Sequence, residues 1–304
     1  MASVEERRRR KSSPLVRRIA RDNDVDITRI PGSGVGGRVT KQDILGFLDR
    51  NRGIDDSAEH RADVGPAADP QVRPGERVEI RPLSPSRKKI AEHMVLSRRT
   101  SAHVHSVFHV DFSHVDQIRR DRKNEYAGRG ARLTYMAFIA KTVVDALRRH
   151  PVLNASLDAD NVVYRKDVNL GIAVALEAGL VVPVIKNADE KSLLGLSRAI
   201  ADVADRARAK QLVPDEVHGG TFTITNPGQF GAQFGMPIIN QPQVAILGVG
   251  TIEKRPVVSH DAIAIRTMAY LTLGFDHRLV DGAVADQFMS DVKKQIEEFD
   301  LHQV

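Results

Sequence analysis

The sequence predicts an α/β fold in which helices cover a mixed sheet, with a small two-helix unit ahead of it. Three observations predict this. Short apolar runs of strand length alternate with helix-period segments over residues 81–304. A compact pair of helical segments occupies residues 12–49. Between these two parts, residues 50–80 lack periodicity and are dominated by Pro, Ala, Asp and Gly, the composition of a flexible spacer.

The composition supports a folded, water-facing chain. Of its 304 residues, 41% are apolar and 28% charged, and no apolar run is long enough for a membrane span. The N-terminus is charged and lacks the apolar core of a secretory signal. The absence of Cys excludes disulfides and Cys-based zinc sites, so a cytoplasmic protein is expected. Any nucleophile must be Ser, Thr or Lys, or must arrive with the substrate. The net charge of +6 is concentrated early: residues 1–50 hold twelve Lys and Arg against seven Asp and Glu. That imbalance points to an acidic partner for the N-terminal part. The basic tail, residues 1–11, has no interleaved aromatics to stack on bases, so no nucleic-acid role is assigned to it.

The elements follow in order. Ser12-Ser13-Pro14 starts a helix whose apolar positions are Leu15, Ile19 and Ala20. Thr40 caps a second helix, 41–48, with Ile44, Phe47 and Leu48 inward. Ser84 to Ser97 reads as an amphipathic helix with Ile90, Ala91 and Met94 on its apolar side. Strands are expected at 104–112, 162–164, 170–176, 180–185, 221–225, 244–249 and 263–273, and an apolar run reaches Phe275. Helices are expected at 136–147, 193–210 and 283–299, the last with Val284, Phe288, Met289, Val292 and Ile296 on one face.

Three stretches carry candidate chemistry. Gly32-Ser33-Gly34-Val35-Gly36-Gly37 matches Gly-x-Gly-x-x-Gly. A helix and connector precede it instead of a strand, so a dinucleotide site is rejected. His277 ends the last apolar run, with Asp281 four residues on and Gly282 after it. This reads either as a catalytic base with an orienting carboxylate or as a surface turn. His103, His105 and His109 would share one face of a strand. No carboxylate joins them, and no metal site is assigned.

Residues 12–49, with the loop running on into Arg38-Val39, resemble the peripheral-subunit-binding domain of 2-oxo acid dehydrogenase complexes. The resemblance implies that Arg17, Arg18 and Arg38 pair with acidic groups on a docked decarboxylase or dihydrolipoamide dehydrogenase subunit. Residues 82–299 resemble the lipoamide and chloramphenicol acyltransferases through five segments in order. These are His150-Pro151-Val152-Leu153-Asn154, Val181-Val182-Pro183-Val184-Ile185, Gly219-Gly220-Thr221-Phe222-Thr223-Ile224-Thr225-Asn226, Pro237-Ile238-Ile239-Asn240 and His277-x-x-x-Asp281-Gly282. The implied fold is the chloramphenicol-acetyltransferase-like mixed sheet. The implied reaction moves an acyl group between a dihydrolipoyl thiol and coenzyme A.

The resemblance also implies the site. His277 is the general base, Thr225 the oxyanion donor where many members carry Ser, and Asp281 an orienting residue in a buried ion pair. Arg87, Lys88 and Lys89, read from the residues themselves, are either a solvated helix face or contacts for coenzyme A phosphates, and the phosphate role is assigned to Arg87. Asn226 and His103 are placed beside the substrate. The family's usual Pro-His pair is Ala102-His103 here. His277 and Thr225 are expected from neighbouring subunits of a homotrimer or larger core. No lipoyl domain is recognised, so the lipoyl group is expected in trans or from a missing domain. Two alternatives stay open: a free-standing acyltransferase on a small molecule, and a non-catalytic docking component. Acetyl, succinyl and branched-chain groups are all compatible, with Thr225 leaning towards succinyl.

Overall fold

The computed structural model describes residues 12–23, 25–34, 38–48, 76–176, 179–300 and 302. The expected basic tail, most of the linker and the centre of the Gly-rich loop lie outside the described residues. The chain divides into two compact units, Met1–Arg81 and Pro82–Val304.

In the first unit, α1 (Pro14–Asp22) begins at Ser13, whose hydroxyl accepts the Val16 N–H at 3.3 Å. Val16 and Ala20, four apart, are buried with Ile27, Ile30, Val39 and Ile44. Leu15 is exposed, contrary to the expectation, because Val16, not Leu15, falls on the stripe shared with Ala20. Helix α2 spans 41–48. Thr40 and Asp43 cap it reciprocally: the Asp43 N–H donates to the Thr40 hydroxyl, and the Thr40 N–H donates to the Asp43 carboxylate at 2.8 Å. Asp43 also accepts the backbone N–H and the hydroxyl of Ser33, at 2.9 and 2.7 Å. One carboxylate thus ties the loop to the helix.

The second unit begins with α3 (Pro85–Thr100), followed by β1 (His103–Asp111), α4 (Ser113–Gly128) and α5 (Tyr135–Arg149). Next come β2 (Ala155–Asp158), β3 (Asn161–Tyr164), β4 (Leu170–Ile172), β5 (Val174–Leu176), β6 (Gly179–Val181) and β7 (Val184–Ile185). Helix α6 (Leu193–Arg208), β8 (Phe222–Thr225), β9 (Ala245–Val249), β10 (Glu253–Ser259), β11 (Ala262–Asp276) and α7 (Gly282–Glu297) complete it. The main sheet has the order β1-β11-β9-β8-β4-β7, with β10 also paired to β11. The β4–β8 and β8–β9 pairings are parallel and the rest antiparallel, so the sheet is mixed as expected.

One face of the sheet is the core. Phe222, Ile224, Leu247, Leu271, Leu273 and Phe275 are fully buried there with Phe288 and Met289 of α7. The Phe222 and Phe288 rings lie 5.9 Å apart. The structure corrects several expectations. The run 170–176 divides between two sheets, and 180–185 is interrupted at Pro183, which has no N–H for a ladder. Helix α4 and strand β10 were not expected. Seven of the sixteen residues of α4 are charged, and only Val115, Asp116, Ile118 and Tyr126 are buried, too sparse a stripe to read. The stripe read along 84–97 does exist as α3, yet Ser97 is its one buried residue; Ile90 and Met94 are half-buried and Ala91 is exposed. Among the described residues no helix is long and apolar enough to cross a membrane.

Candidate active site

Strand β11 ends in a short turn that feeds α7. The N–H groups of Leu279 and Val280 donate to the Asp276 carbonyl at 3.1 and 2.9 Å, and Val280 is fully buried beneath. His277 sits on this turn with an exposed side chain. Its backbone N–H donates to the Ala102 carbonyl at 2.9 Å, which fixes where the ring is presented.

The ion pair of the turn belongs to Asp276 and Arg278, not to Asp281 as the sequence reading had it. The Asp276 side chain is 1% exposed. It accepts Arg278 Nε at 3.0 Å and Nη2 at 2.7 Å, the Arg278 N–H at 3.1 Å and the Ala102 N–H at 3.2 Å. Burial alone would raise its pKa; the hydrogen bonds from Arg278 and Ser101 outweigh burial and hold it below the usual carboxylate value. Asp281 occupies the N-cap of α7, is exposed, and makes no capping bond with its side chain. In the sequence Asp276 and Arg278 stand immediately before and after His277. A carboxylate and a guanidinium flanking His277 on both sides were the available signal.

Thr225 is the half-buried last residue of β8. It pairs with Gly248, which pairs with Thr272, so Thr225 and Thr272 share a row across the sheet. His277 lies five residues beyond Thr272, just past the end of β11. Five strand residues and two strand spacings put Thr225 and His277 roughly 19 Å apart in one chain. A single carbonyl cannot touch both.

The remaining site candidates divide. The Asn226 side-chain oxygen accepts the Gln229 N–H at 3.2 Å and caps the turn Pro227–Phe230, a structural bond within the chain. His103 has both ring nitrogens engaged: Nδ1 donates to the Ser101 carbonyl at 3.0 Å, and Nε2 accepts the Ile239 N–H at 3.1 Å. Burial pushes its pKa down, so it is a neutral strut and not a free ligand. His105 donates through Nε2 to the Pro237 carbonyl at 3.0 Å, and the same nitrogen lies 3.0 Å from where a Cβ on Gly274 would stand. His109 stacks on Tyr270 at 4.7 Å. Arg87 is exposed, and its guanidinium lies beside Gly179. In the first unit Arg17 donates to the Ser12 carbonyl at 3.0 Å, Arg18 approaches Asp22 at 3.8 Å, and Arg38 is exposed.

The model of the 2-oxoacid dehydrogenases acyltransferase catalytic domain matches residues 75–303, and that of the e3 binding domain matches residues 10–45. The chain belongs to the 2-oxoacid dehydrogenase acyltransferases. It is 40% identical to the dihydrolipoyllysine-residue acetyltransferase component of the pyruvate dehydrogenase complex of Bacillus subtilis, over 96% of this chain and 68% of that one. The branched-chain and succinyl counterparts from the same organism are each 36% identical. Among solved structures, a probable dihydrolipoamide acetyltransferase from Listeria monocytogenes superimposes with a TM-score of 0.72 at 39% identity, covering 75% of this chain and 98% of that one. The Azotobacter vinelandii dihydrolipoamide acetyltransferase gives 0.71 at 32% identity, covering 76% of this chain and 98% of that one. This acyltransferase therefore carries a catalytic domain of the complex-forming type together with an e3 binding domain.

Proposed function

We propose that this acyltransferase moves an acyl group between a dihydrolipoyl thiol and coenzyme A at a site divided between two copies of the chain. The observation that carries the reading is the separation of Thr225 from His277 within one chain. Two groups that must meet one reacting carbonyl can do so only if a second copy supplies one of them.

His277, as a neutral imidazole, takes the proton of the coenzyme A thiol as that sulfur attacks the thioester carbonyl of the acyl-dihydrolipoyl group. The carbonyl π electrons move to oxygen, and the Thr225 hydroxyl of the neighbouring copy donates a hydrogen bond to the oxyanion. One such donor is worth about 10²–10³ in rate. Collapse breaks the bond to the dihydrolipoyl sulfur, which takes the proton from His277. The base is thereby restored.

A second observation supports the assignment. The Azotobacter structure is described as addressing a serine, a histidine and an asparagine in that enzyme's catalytic mechanism. Its serine stands 52 positions before the histidine and its asparagine four after it. Thr225, His277 and Asp281 have the same spacing. The e3 binding domain, with Arg17, Arg18 and Arg38 on it, docks a dihydrolipoamide dehydrogenase subunit.

The test is complementation between chains. His277→Ala should lower turnover by about 10²–10⁴, and Thr225→Ala by about 10²–10³. Co-assembled in one trimer, the two defective chains should regain up to about a quarter of the wild-type sites, since one arrangement in four rebuilds an intact interface. Acetyl-, succinyl- and isobutyryl-CoA, each offered with dihydrolipoamide, identify the acyl group. Mixed trimers without recovered activity would overturn the divided site. Wild-type protein inactive with every donor would favour a docking component.

A further inference from the structure

A cavity of about 440 Å³ opens between α3, β2 and the loops before β8 and β9. Its lining includes His93, Arg165, His218, Asn169, Asn240 and Gln243. None of the residues that line it is a carboxylate. The Lys186 ammonium donates to the His218 carbonyl and stands beside Gly219 at the rim. Positive and donor groups therefore surround the space without an opposing negative charge.

The amides sharpen this. A carboxamide offers a donor end and an acceptor end. The Asn169 oxygen accepts the Asn187 N–H at 3.0 Å. The Gln243 oxygen accepts the buried Thr223 hydroxyl at 2.7 Å. The Asn240 oxygen pairs with His93 Nε2 at 3.1 Å. Three acceptor ends are consumed within the chain, which leaves three NH₂ groups for whatever enters. Gln241 is the exception: its NH₂ donates to the Ser101 hydroxyl. The Arg165 side chain is exposed, and its one hydrogen bond among the described residues is a long one of 3.4 Å to the Ser156 hydroxyl, so its planar fork can turn to a ligand.

We propose that this cavity binds a phosphate-bearing small molecule. A phosphate presents only acceptor oxygens and negative charge, the complement of this lining, and Arg165 suits its geometry. The site is separate from Thr225 and His277, neither of which lines it. The phosphate could belong to the nucleotide end of a thiol carrier or to a free phosphate species; the chemistry recognised is the same.

The experiment is calorimetric titration of the full chain with inorganic pyrophosphate, adenosine 3′,5′-bisphosphate and adenosine, then repeated in the presence of coenzyme A. Arg165→Gln and His218→Gln serve as variants; both side chains are exposed, and neither substitution disturbs the core. The expected result is one saturable site per chain for a phosphate ligand, none for adenosine, and binding weakened at least tenfold in each variant. Preference for the bisphosphate, abolished by coenzyme A, identifies a nucleotide carrier. Equal binding of pyrophosphate, unaffected by coenzyme A, identifies a free phosphate species. Absence of binding, or binding that both variants retain in full, overturns the proposal. Because the readout is binding and not turnover, the His277→Ala protein should give the same titration whatever the fate of the catalytic reading.

Discussion

At the scale of single residues, His277 is held by its backbone and its neighbours while its own ring is left exposed. The strand brings it to the surface, the Ala102 carbonyl fixes its N–H, and the Asp276–Arg278 pair stiffens the residues on either side. Removing Arg278 would leave a buried carboxylate with fewer donors. Arg278→Ala is expected to cost about 1–3 kcal/mol in chemical denaturation, together with a fall in kcat. The Asp276 pKa is lowered in the folded state, so its contribution is present above the ordinary aspartate range and lost as pH falls through the folded value. Denaturation midpoints below pH 4 should accordingly converge for wild type and Asp276→Asn, and diverge near neutrality. Equal midpoints at every pH would show that the pair adds nothing.

At the scale of elements, two backbone approaches shape the neighbourhood of Thr225. A Cβ on Gly228 would stand 2.2 Å from the Gly250 carbonyl carbon, and one on Gly250 would stand 1.9 Å from the Gln233 carbonyl oxygen. Neither obstacle is a movable side chain. Gly228→Ala and Gly250→Ala should each destabilise by about 1–3 kcal/mol through overpacking and displace Thr225, seen as a lower thermal midpoint and a lower kcat. In the small unit, Asp43 has its pKa lowered first by the Thr40 N–H, then by the Ser33 hydroxyl and N–H. Acidification should therefore release the Ser33 and Thr40 amides to hydrogen exchange before the rest of that unit opens. Uniform exchange across the unit would count against this role.

How much of this was legible depends on whether the physics was local. The core helices α5, α6 and α7 announce themselves because one face of each is almost wholly apolar. His277 was visible because Asp281 and Gly282 follow it at fixed spacing. Helix α4 was hidden by its charge, and β10 because its pairing with β11 sets an exposed hairpin whose two turn residues, His260 and Asp261, have positive φ. The choice of Asp276 over Asp281 as the ion-pair member depends on which carboxylate the turn buries, a tertiary fact. So do the two hydrogen bonds that turn His103 from a ligand into a strut. The cavity between α3 and β2 draws on six separate stretches of chain, and no window of sequence contains it.

At the scale of the molecule, this chain leaves much apolar surface for others to cover. Val258, Ile263 and Ile265 on the β10–β11 hairpin are 78%, 84% and 74% exposed, and Phe230 and Met236, close in sequence to Thr225, are 76% and 63% exposed. Exposure on that scale is typical of surfaces meant for burial between subunits. Ile263→Asp with Ile265→Asp is expected to shift sedimentation towards the single chain and to abolish turnover, with the fold unchanged by circular dichroism. Full turnover in a monomeric variant would sink the divided site.

The roughly 19 Å that separates Thr225 from His277 also bears on timing and quantity. On the divided-site proposal, a newly synthesised chain is chemically silent until it meets others like it. Specific activity should then decline on dilution more steeply than folding does, and a preparation could hold well-folded protein while turning over nothing. In a cell, partly assembled chains would be harmless spectators, unable to draw acyl groups from the coenzyme A pool before the rest of the machine is in place.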